Sequence, residues 1–414
     1  ANWADKTDLG TLKSDHSGAS EVYALSADGK IAAGGAHNDA GEERAVVWSG
    51  ANWADKTDLG TLKSDHSGES RAYALNADGT VALGVAETDT DGTLATALWR
   101  IRYGGAAPTP PSTTAIHADN TRQTLVEMGK DTLAAVNMQQ HALQRLHDTA
   151  CTPTNGSKMC VRLQSDVSAH ENKRDTAAGA ALAYRFNDNW LAGVAFDRSL
   201  KRRLPDSYRS SGKGNHGVAV YGQWENNGWF IRPSAAWNDY RVRAVRPVLS
   251  GTEAGTGKSR MKGQSYRLTF GQQSTQDKNR LTWYAGAEHS RVSRAAYTES
   301  NAEFPVRYAD LRVSDTAVLM GAYSDVELSP SWSLLAGTEM ARTVKAKAPE
   351  YDARAEYVGA FRYTGNKPKT RMLASAGVRY RLSPALSLSL LPYWERSAAG
   401  ENRRGVRAGL VGEF

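Results

Sequence analysis

The side chains with the clearest capacity for chemistry are the two cysteines, Cys151 and Cys160, which have eight residues between them. Pro153 and Gly156 lie in that stretch and favour a turn, so the pair could close a small disulfide loop in an oxidising compartment. The alternative is two unpaired thiols. A zinc site would need further Cys or His ligands in the same loop, and none follows there.

Motifs for hydrolytic chemistry are missing from the chain. None of the nine histidines lies in an HExxH motif, and no serine lies in a GxSxG elbow. No ATP site is visible either. Nucleic-acid binding is disfavoured, because aromatic residues do not alternate with the basic ones in a recognisable module. The sequence therefore predicts no metal, no cofactor and no nucleic-acid partner.

The last thirteen residues, Asn402 to Phe414, alternate between two faces, as expected for a single strand. The more apolar face carries Val406, Ala408, Leu410, Gly412 and Phe414. A final strand that ends in an aromatic residue on its apolar face resembles the end of a bacterial outer-membrane β-barrel. We therefore predict that Phe414, together with Leu410, forms the signal that the barrel-assembly machinery reads.

The chain from Val161 onward divides into segments with strand-like alternation. Their predicted bounds are 161–168, 175–186, 190–200, 215–225, 228–243, 262–273, 280–293, 312–328, 331–345, 370–382, 385–396 and 403–414. Alternating strands hide their apolar half, so a mean hydropathy of −0.53 does not exclude a membrane protein. We predict an all-β membrane fold, a 12-stranded antiparallel outer-membrane β-barrel over 161–414.

Short and long connections alternate between these strands. The short ones lie around 187–189, 225–227, 277–279, 329–330 and 383–384. The long ones lie near 201–214, 244–261, 294–311 and 346–369. Bacterial barrels place tight turns in the periplasm and long loops outside. With an even number of strands, Val161 and Phe414 are then both predicted at the periplasmic end. Tryptophans near the strand ends are predicted to form interfacial belts. They are Trp190, Trp224, Trp229, Trp283, Trp332 and Trp394.

Residues 1–100 consist of two copies of a 50-residue unit, since Ala1 to Gly18 returns unchanged as Ala51 to Gly68. A period of this length indicates a β-rich array or propeller-like blades. The unit resembles bacterial extracellular repeats of the HAF type. Because two stacked units rarely form a closed array, we expect more copies upstream. The chain opens on a repeat without a signal peptide, so we expect a mature or truncated product.

Two segments separate the repeats from the barrel. Residues 101–115 have the Pro, Gly and Thr content of a flexible linker. Residues 116–150 contain many good helix formers, and we predict a helix over about 118–148. Such a helix is roughly 46 Å long at about 1.5 Å per residue, enough to span a bilayer. Its many charges make it too polar for lipid, which favours a helix in the lumen over a periplasmic or coiled helix. Residues 151–160 then form the Cys-closed loop.

The order of these parts resembles a monomeric autotransporter of the type V secretion route, with the resemblance covering about 116–414. It implies a translocator that inserts in the outer membrane, exports its own N-terminal passenger and anchors that passenger at the cell surface. We expect the passenger to be an adhesin or aggregation factor, and its host or bacterial surface ligand is unknown. The implied partners are outer-membrane lipid, the barrel-assembly machinery and periplasmic chaperones, and the implied state is a monomer.

One segment of the helix, Ala135 to Asp148, resembles the stretch where protease-type family members cut themselves inside the pore. There an asparagine side-chain amide attacks its own backbone carbonyl. Asn137 occupies the matching position, but Met138 stands where the family has a second asparagine, which disfavours cleavage. Candidate helpers from the lumen wall are Glu288, Glu339, Arg185 and Arg379. The alternative, which we favour, is an ordinary helix asparagine among ordinary lumen charges, so that the chain is not an enzyme.

The net charge of +7 concentrates in the predicted outer loops, where basic groups could meet lipopolysaccharide phosphates. These groups are Arg198, Lys201, Arg202, Arg203, Arg209, Lys213, Arg241, Arg243 and Arg246. Two other functions stay open for the barrel. An outer-membrane enzyme is disfavoured by the missing nucleophile motif, and a diffusive porin is disfavoured because a polar helix in the lumen would block it.

Overall fold

The computed structural model describes residues 6–90, 92–103, 112–154, 156–211, 215–277 and 279–414. Residues 104–111, the larger part of the predicted linker, lie outside the described residues, as does Lys213 of the predicted basic loops. Among the described residues, no helix combines the length and apolar character needed to cross a membrane.

Each sequence repeat contributes to a four-stranded antiparallel sheet in which consecutive strands are neighbours. The first sheet contains β1 (Ser20–Leu25), β2 (Ala32–His37), β3 (Glu43–Ser49) and β4 (Asp55–Asp58). The second contains β5 (Ser70–Leu75), β6 (Val81–Glu87), β7 (Leu94–Arg102) and β8 (Ser112–His117). The fourth strand of the first sheet thus comes from the second repeat, and the fourth strand of the second sheet comes from beyond both repeats.

The two sheets pack on one another through small and aliphatic side chains. Leu59 and Leu62, which follow β4, are buried between Ala45 and Val47 of the first sheet and Trp99 of the second. Polar groups also cross this contact, since the Ser70 hydroxyl accepts a hydrogen bond of 2.9 Å from the Ala45 amide. Close stacking of small residues explains why the repeats are rich in alanine and glycine.

The structure describes the two ends of the predicted linker over 101–115 but not its middle. Its described ends are strand, because 101–102 belong to β7 and Ser112–His117 forms β8, which pairs with β7 in antiparallel register. A β-branched residue such as Ile116 suits a sheet position.

A single helix, α1 (Ala118–Asp148), follows directly. His117 caps it, since the His117 side chain accepts a hydrogen bond from the Asn120 amide. The predicted helix bounds are confirmed.

Twelve long strands then close into an antiparallel barrel around α1, which confirms the predicted fold. They are β9 (Met159–His170), β10 (Lys173–Arg185), β11 (Trp190–Arg203), β13 (His216–Asn226), β14 (Trp229–Val245), β15 (Thr256–Gln276), β16 (Asn279–Arg294), β19 (Leu311–Glu327), β20 (Trp332–Ala346), β23 (Thr370–Ser383), β24 (Leu386–Arg396) and β25 (Asn402–Glu413). Five short strands lie in the connections on the loop side: β12 (Tyr208–Ser210), β17 (Tyr297–Thr298), β18 (Val306–Tyr308), β21 (Glu350–Ala355) and β22 (Gly359–Thr364).

The barrel closes between its first and last strands. Leu163 of β9 lies opposite Leu410 of β25. Beyond the strand, the Phe414 amide donates to the Met159 carbonyl at 2.9 Å, and the Phe414 carbonyl accepts from the Met159 amide at 2.8 Å. The ring of Phe414 stays exposed. The chain terminus is therefore fixed by backbone pairing while its aromatic side chain faces outward.

The strands alternate between an apolar outer face and a polar inner face. On β11, for example, Phe196 is exposed on the outer wall while its neighbour Asp197 is buried in the lumen. Five of the six tryptophans predicted for interfacial belts are exposed large side chains on the barrel: Trp190, Trp229, Trp283, Trp332 and Trp394. The sixth, Trp224, pairs with Trp190 across strands and is half-buried.

We expect the contact between the two repeats to weaken at acidic pH. Arg71 of the second repeat lies 2.5 Å from Glu43 of the first and holds the pKa of Glu43 below its ordinary value of 4.5. A lowered folded pKa contributes stability above the unfolded pKa, and this stability is lost as pH falls through the folded value. The midpoint of thermal unfolding of the repeats should thus drop between neutral pH and about pH 3.5.

The substitution Glu43→Gln should make the midpoint of thermal unfolding of the repeats less dependent on pH. Glu69→Gln is the matched control, because Glu69 is more exposed and lies 3.7 Å from the same Arg71. An equal pH dependence in all three proteins would contradict a role for the pair.

Candidate functional site

The candidate site is the barrel lumen with α1 inside it. Unlike an ordinary amphipathic helix, α1 buries polar side chains along much of its length. These buried polar residues are Thr121, Thr124, Thr132, Gln139, His141, Arg145 and His147. Buried polar groups need hydrogen-bond partners, and here the inward positions of the strands supply them.

The most buried charge on the helix is Arg145, whose side chain is fully covered. Its Nε and Nη2 donate to the two carboxylate oxygens of Asp197 at 2.7 and 2.8 Å. Its Nη1 donates to Asp175 at 3.1 Å and lies 3.9 Å from Asp166. The three aspartates stand on three neighbouring strands, β9, β10 and β11. One guanidinium therefore ties the helix to a quarter of the barrel wall.

A second network surrounds the periplasmic end of α1. Arg267 lies 2.7 Å from Glu288 and 3.7 Å from Asp148 of the helix. Arg407, from the last strand, lies 3.4 Å from the same Asp148. His147 is held between two wall hydroxyls, with Ser234 at 2.9 Å and Ser265 at 3.1 Å. This end of the helix is fixed from both sides.

A third contact lies beside the Arg145 site, on the two strands that follow β9 around the barrel. His141 Nδ1 of the helix is 2.8 Å from the Glu395 carboxylate on β24. Arg403 of β25 lies 3.5 Å from the same carboxylate. Helix α1 is thus held by ionic or polar contacts to strands on several sides of the lumen, which leaves it little freedom to rotate or slide.

The loop end of the lumen is covered by an apolar cluster. It joins Leu125 and Met128 of α1 with Leu98 of the second repeat and with loop residues such as Phe304 and Tyr351. A buried ion pair within the loops, Arg246 with Glu299 at 3.0 Å, lies beside this cluster. Tyr308 donates a hydrogen bond of 2.7 Å to Glu299, and burial raises the pKa of the Tyr308 hydroxyl.

The proposed self-cleavage junction lies in the middle of the helix. The side chain of Asn137 is half-buried and lines a narrow cavity together with Glu288, Arg371 and Glu395. Helix α1 runs unbroken through Asn137 and Met138. The Met138 carbonyl accepts a hydrogen bond of 2.7 Å from Arg202.

The predicted helpers separate into two groups. Glu288 borders the cavity of Asn137, and Glu339 lies in the same ionic network, accepting from Arg371 at 2.7 Å. Both carboxylates are therefore already bound to arginines. The structure does not bring the other two helpers to Asn137. Arg185 is paired with Glu225, and Arg379 donates to Asp325 at 2.9 Å.

The reason for this correction is depth in the barrel. Arg185 ends β10 and Arg379 lies four residues before the end of β23, so both sit close to the periplasmic turns. Asn137 lies eleven residues before the end of α1, which places it roughly 16 Å above the end of the helix. Alternation along a strand identifies which side chains face inward, but it does not give their height.

Two of the basic residues predicted for the outer loops also face inward. Arg202 is buried against the helix, where it donates to Gln139 at 3.0 Å and to the Met138 carbonyl. Arg246 forms the buried pair with Glu299 inside the loop cluster. In both cases the arginine binds an acceptor on a segment distant in sequence, and the sequence pattern does not indicate this pairing.

Two elements at the periplasmic end join the helix to the wall. Cys151 and Cys160 form a disulfide between the residues after α1 and the start of β9, with their Cα atoms 5.9 Å apart. The Tyr221 hydroxyl donates to the Cys151 carbonyl at 2.8 Å and accepts from the Cys151 amide at 2.9 Å. The described residues contain no group of three or more His, Cys, Asp or Glu side chains placed to hold a metal ion.

The residues that sequence reasoning missed are Arg145 and its three aspartates. A signal was present, because Asp166, Asp175 and Asp197 each occupy an inward position of an alternating strand in the first quarter of the barrel. Their common partner on a helix could not be identified from spacing alone.

Comparisons with known proteins address the barrel. The sequence profile described as "Autotransporter beta-domain" matches residues 164–390. Among solved structures, the translocator domain of the autotransporter NalP from Neisseria meningitidis is similar at 14% identity, with a TM-score of 0.53 over 69% of this chain and 98% of that one. At this identity the likeness concerns the fold. No curated protein sequence matches the chain.

Two further structures are similar at lower TM-scores. One is the beta domain of the Bordetella autotransporter BrkA, at 12% identity and a TM-score of 0.42, covering 63% of this chain and all (100%) of that one. The other is the transport unit of the autotransporter AIDA-I from Escherichia coli, at 12% identity and a TM-score of 0.39, covering 69% and 99%.

We expect the barrel to depend strongly on the Arg145 contact. Asp197→Asn keeps the shape of the side chain but removes the charge that accepts two hydrogen bonds. Breaking a buried pair costs about 3 kcal/mol or more in the free energy of unfolding, although Asp175 and Asp166 retain part of the contact. The measurement is the urea midpoint at which unheated samples lose the mobility of the folded barrel on a gel.

The matched control is Asp310→Asn. Asp310 forms an exposed ion pair with Arg312 at 3.0 Å. Loss of this pair should lower the free energy of unfolding by less than about 1 kcal/mol. If both variants unfolded at the urea midpoint of the parent, the Arg145 contact would not be what holds the helix in the barrel.

Proposed function

Since this chain belongs to the autotransporter beta-domain family, we propose that it is a translocator that brings its own repeats, residues 1–100, to the cell surface and anchors them there. The chain lies in the outer membrane of the cell. The observation that carries the proposal is the path of α1. It runs from the repeats at the loop end of the barrel to the first strand at the end with tight turns.

The contacts at the loop end support anchoring after export. The Arg100 guanidinium of the second repeat lies 4.8 Å from the centre of the Phe304 ring in a barrel loop. Arg102 forms an ion pair with Glu303 of the same loop. The His117 amide donates to the Gly251 carbonyl at 2.6 Å. The second repeat therefore contacts the loops at the loop end of the barrel, so the exported repeats would stay attached to the barrel.

The outer face of the repeats supports an adhesive or aggregative passenger. Val22, Tyr23 and Leu25 of β1 are exposed, as are Tyr73 of β5 and Leu83 of β6. The rings of Tyr23 and Tyr73 stand 5.3 Å apart in an edge-to-face contact, so exposed apolar side chains of the two repeats meet. Exposed apolar patches of this kind are commonly interaction surfaces. The partner on the host or bacterial surface is not identified.

The C-terminal residue supports delivery by periplasmic chaperones and insertion by the barrel-assembly machinery. The Phe414 side chain is 64% exposed although its backbone pairs with β9. The Phe414 ring is the group that we propose these partners recognise.

We expect an antibody against residues 51–90 to label intact cells that produce the full chain, because those residues stand above the loop end of the barrel. The measurement is labelling before and after the outer membrane is permeabilised. A chain without Phe414 is the matched control, and it should give less folded barrel and less surface label. Labelling that requires permeabilisation in the parent would contradict surface display.

For the helix we propose that Asn137 is a structural residue and that the chain stays in one piece. Two features support this. The candidate carboxylates Glu288 and Glu339 are bound to arginines and so are poorly placed to activate an amide. Met138 is buried in the apolar cluster at the loop end and stands where the family has a second asparagine.

A denaturing gel of purified outer membranes tests this proposal. We expect one full-length species for the parent and the same species for Asn137→Ala. Met138→Asn is the informative second variant, because it restores the residue type of the cleaved family members. Two fragments divided at Asn137 in the parent, and lost in Asn137→Ala, would show self-cleavage instead.

A further inference from the structure

The outer wall of the barrel carries a groove of about 1090 Å³ on the lipid-facing side of the strands from β10 to β19. Its apolar floor includes Phe196, Val218 and Trp237. These three side chains lie side by side, since Val218 pairs with Phe196 on one flank and with Trp237 on the other. Small outward residues such as Ala180 leave the groove open between the large rings.

Cationic side chains line the upper edge of this floor. Arg198, Lys262 and Arg291 are all exposed and all border the groove. Among the residues that the structure describes, none of the three forms an ion pair with a carboxylate. The acidic residue between them, Asp239, is already paired with Arg260, whose Nε lies 2.8 Å from it. The edge therefore keeps a net positive charge.

The height of these cations can be placed from the tryptophans of β14. Trp229 begins the strand at the end with tight turns, and Trp237 lies eight residues further along. Eight residues span roughly 26 Å of strand, or about 20 Å of height at a tilt of about 40°, which is most of the apolar band of about 25 Å. Arg198, Lys262 and Arg291 stand at or just above the level of Trp237. From there their long side chains can extend to the headgroups of the outer leaflet.

We propose that this groove binds a phosphorylated glycolipid of the outer leaflet. Its acyl chains lie along Phe196, Val218 and Trp237, and its phosphates bind between Arg198 on one side and Lys262 with Arg291 on the other. Arg198 stands three strand spacings, or about 14 Å, from Lys262 and four, or about 19 Å, from Arg291, so the two sides suit a headgroup with two separate phosphates. Charge-assisted contacts of guanidinium and ammonium groups with phosphate provide the affinity. The inference depends on the outer-membrane location alone and does not need export of the repeats.

Native mass spectrometry of the full chain in detergent tests the site. The probes are lipid A with both phosphates, the same lipid A with both phosphates removed, and phosphatidylglycerol. We expect the doubly phosphorylated lipid to bind most tightly. The triple variant Arg198→Gln, Lys262→Gln, Arg291→Gln should bind this lipid about tenfold more weakly. A tenfold change corresponds to about 1.4 kcal/mol of binding free energy. Arg198→Lys with Arg291→Lys should retain most of the binding because the charges remain.

The matched control removes three outward arginines from the other side of the barrel: Arg342→Gln, Arg396→Gln, Arg404→Gln. These exposed residues lie on β20, β24 and β25 and do not border the groove. The control should bind like the parent. Equal loss in both triple variants would show general attraction to a cationic barrel and would overturn the site. Equal binding of the dephosphorylated lipid, or tighter binding of phosphatidylglycerol, would overturn the assignment to a phosphorylated glycolipid.

Discussion

The structure depends on one constraint, that polar and charged side chains buried in the lumen must find partners on facing elements. Arg145 meets this constraint through three aspartates on three strands, and Asp148 through Arg267 and Arg407. Burying an unpaired charge costs several kcal/mol of folding free energy. Each ion pair therefore holds the helix and the barrel wall together. The helix is in this sense the core of the barrel, in place of the apolar core of a water-soluble domain.

The same constraint links the barrel to the repeats. Because α1 is fixed at its periplasmic end, its first residues emerge at a set position at the loop end. There the helix, the loops and the second repeat share one apolar cluster. The position of the repeats thus follows from side-chain contacts that begin near the opposite membrane face. On the outer wall of the barrel the rule is reversed, and large apolar side chains such as Phe196 and Trp237 are exposed.

Much of this architecture could be predicted from the sequence, because it is encoded in local patterns. Period-two alternation and the length of the connections gave the twelve strands, and helix propensity with excess charge gave α1. What could not be predicted depends on distance in space. Arg185 and Arg379 face inward as expected, but they lie at a different height from Asn137. Arg202 was assigned to the surface from its charge, whereas it hydrogen-bonds to the helix. The short strands of the loops pair with segments far away in sequence, as β18 does with β21.

The offset between sequence repeat and folded sheet has a consequence for how such a chain changes over generations. Strand β4 belongs to the following repeat, and β8 belongs to the segment that leads into the helix. Unequal recombination between identical stretches of coding sequence, such as those for Ala1 to Gly18 and Ala51 to Gly68, adds or removes one whole 50-residue unit. Every sheet then still receives its fourth strand from whatever follows it. The length of the surface region can therefore vary without any change at the junction with the barrel.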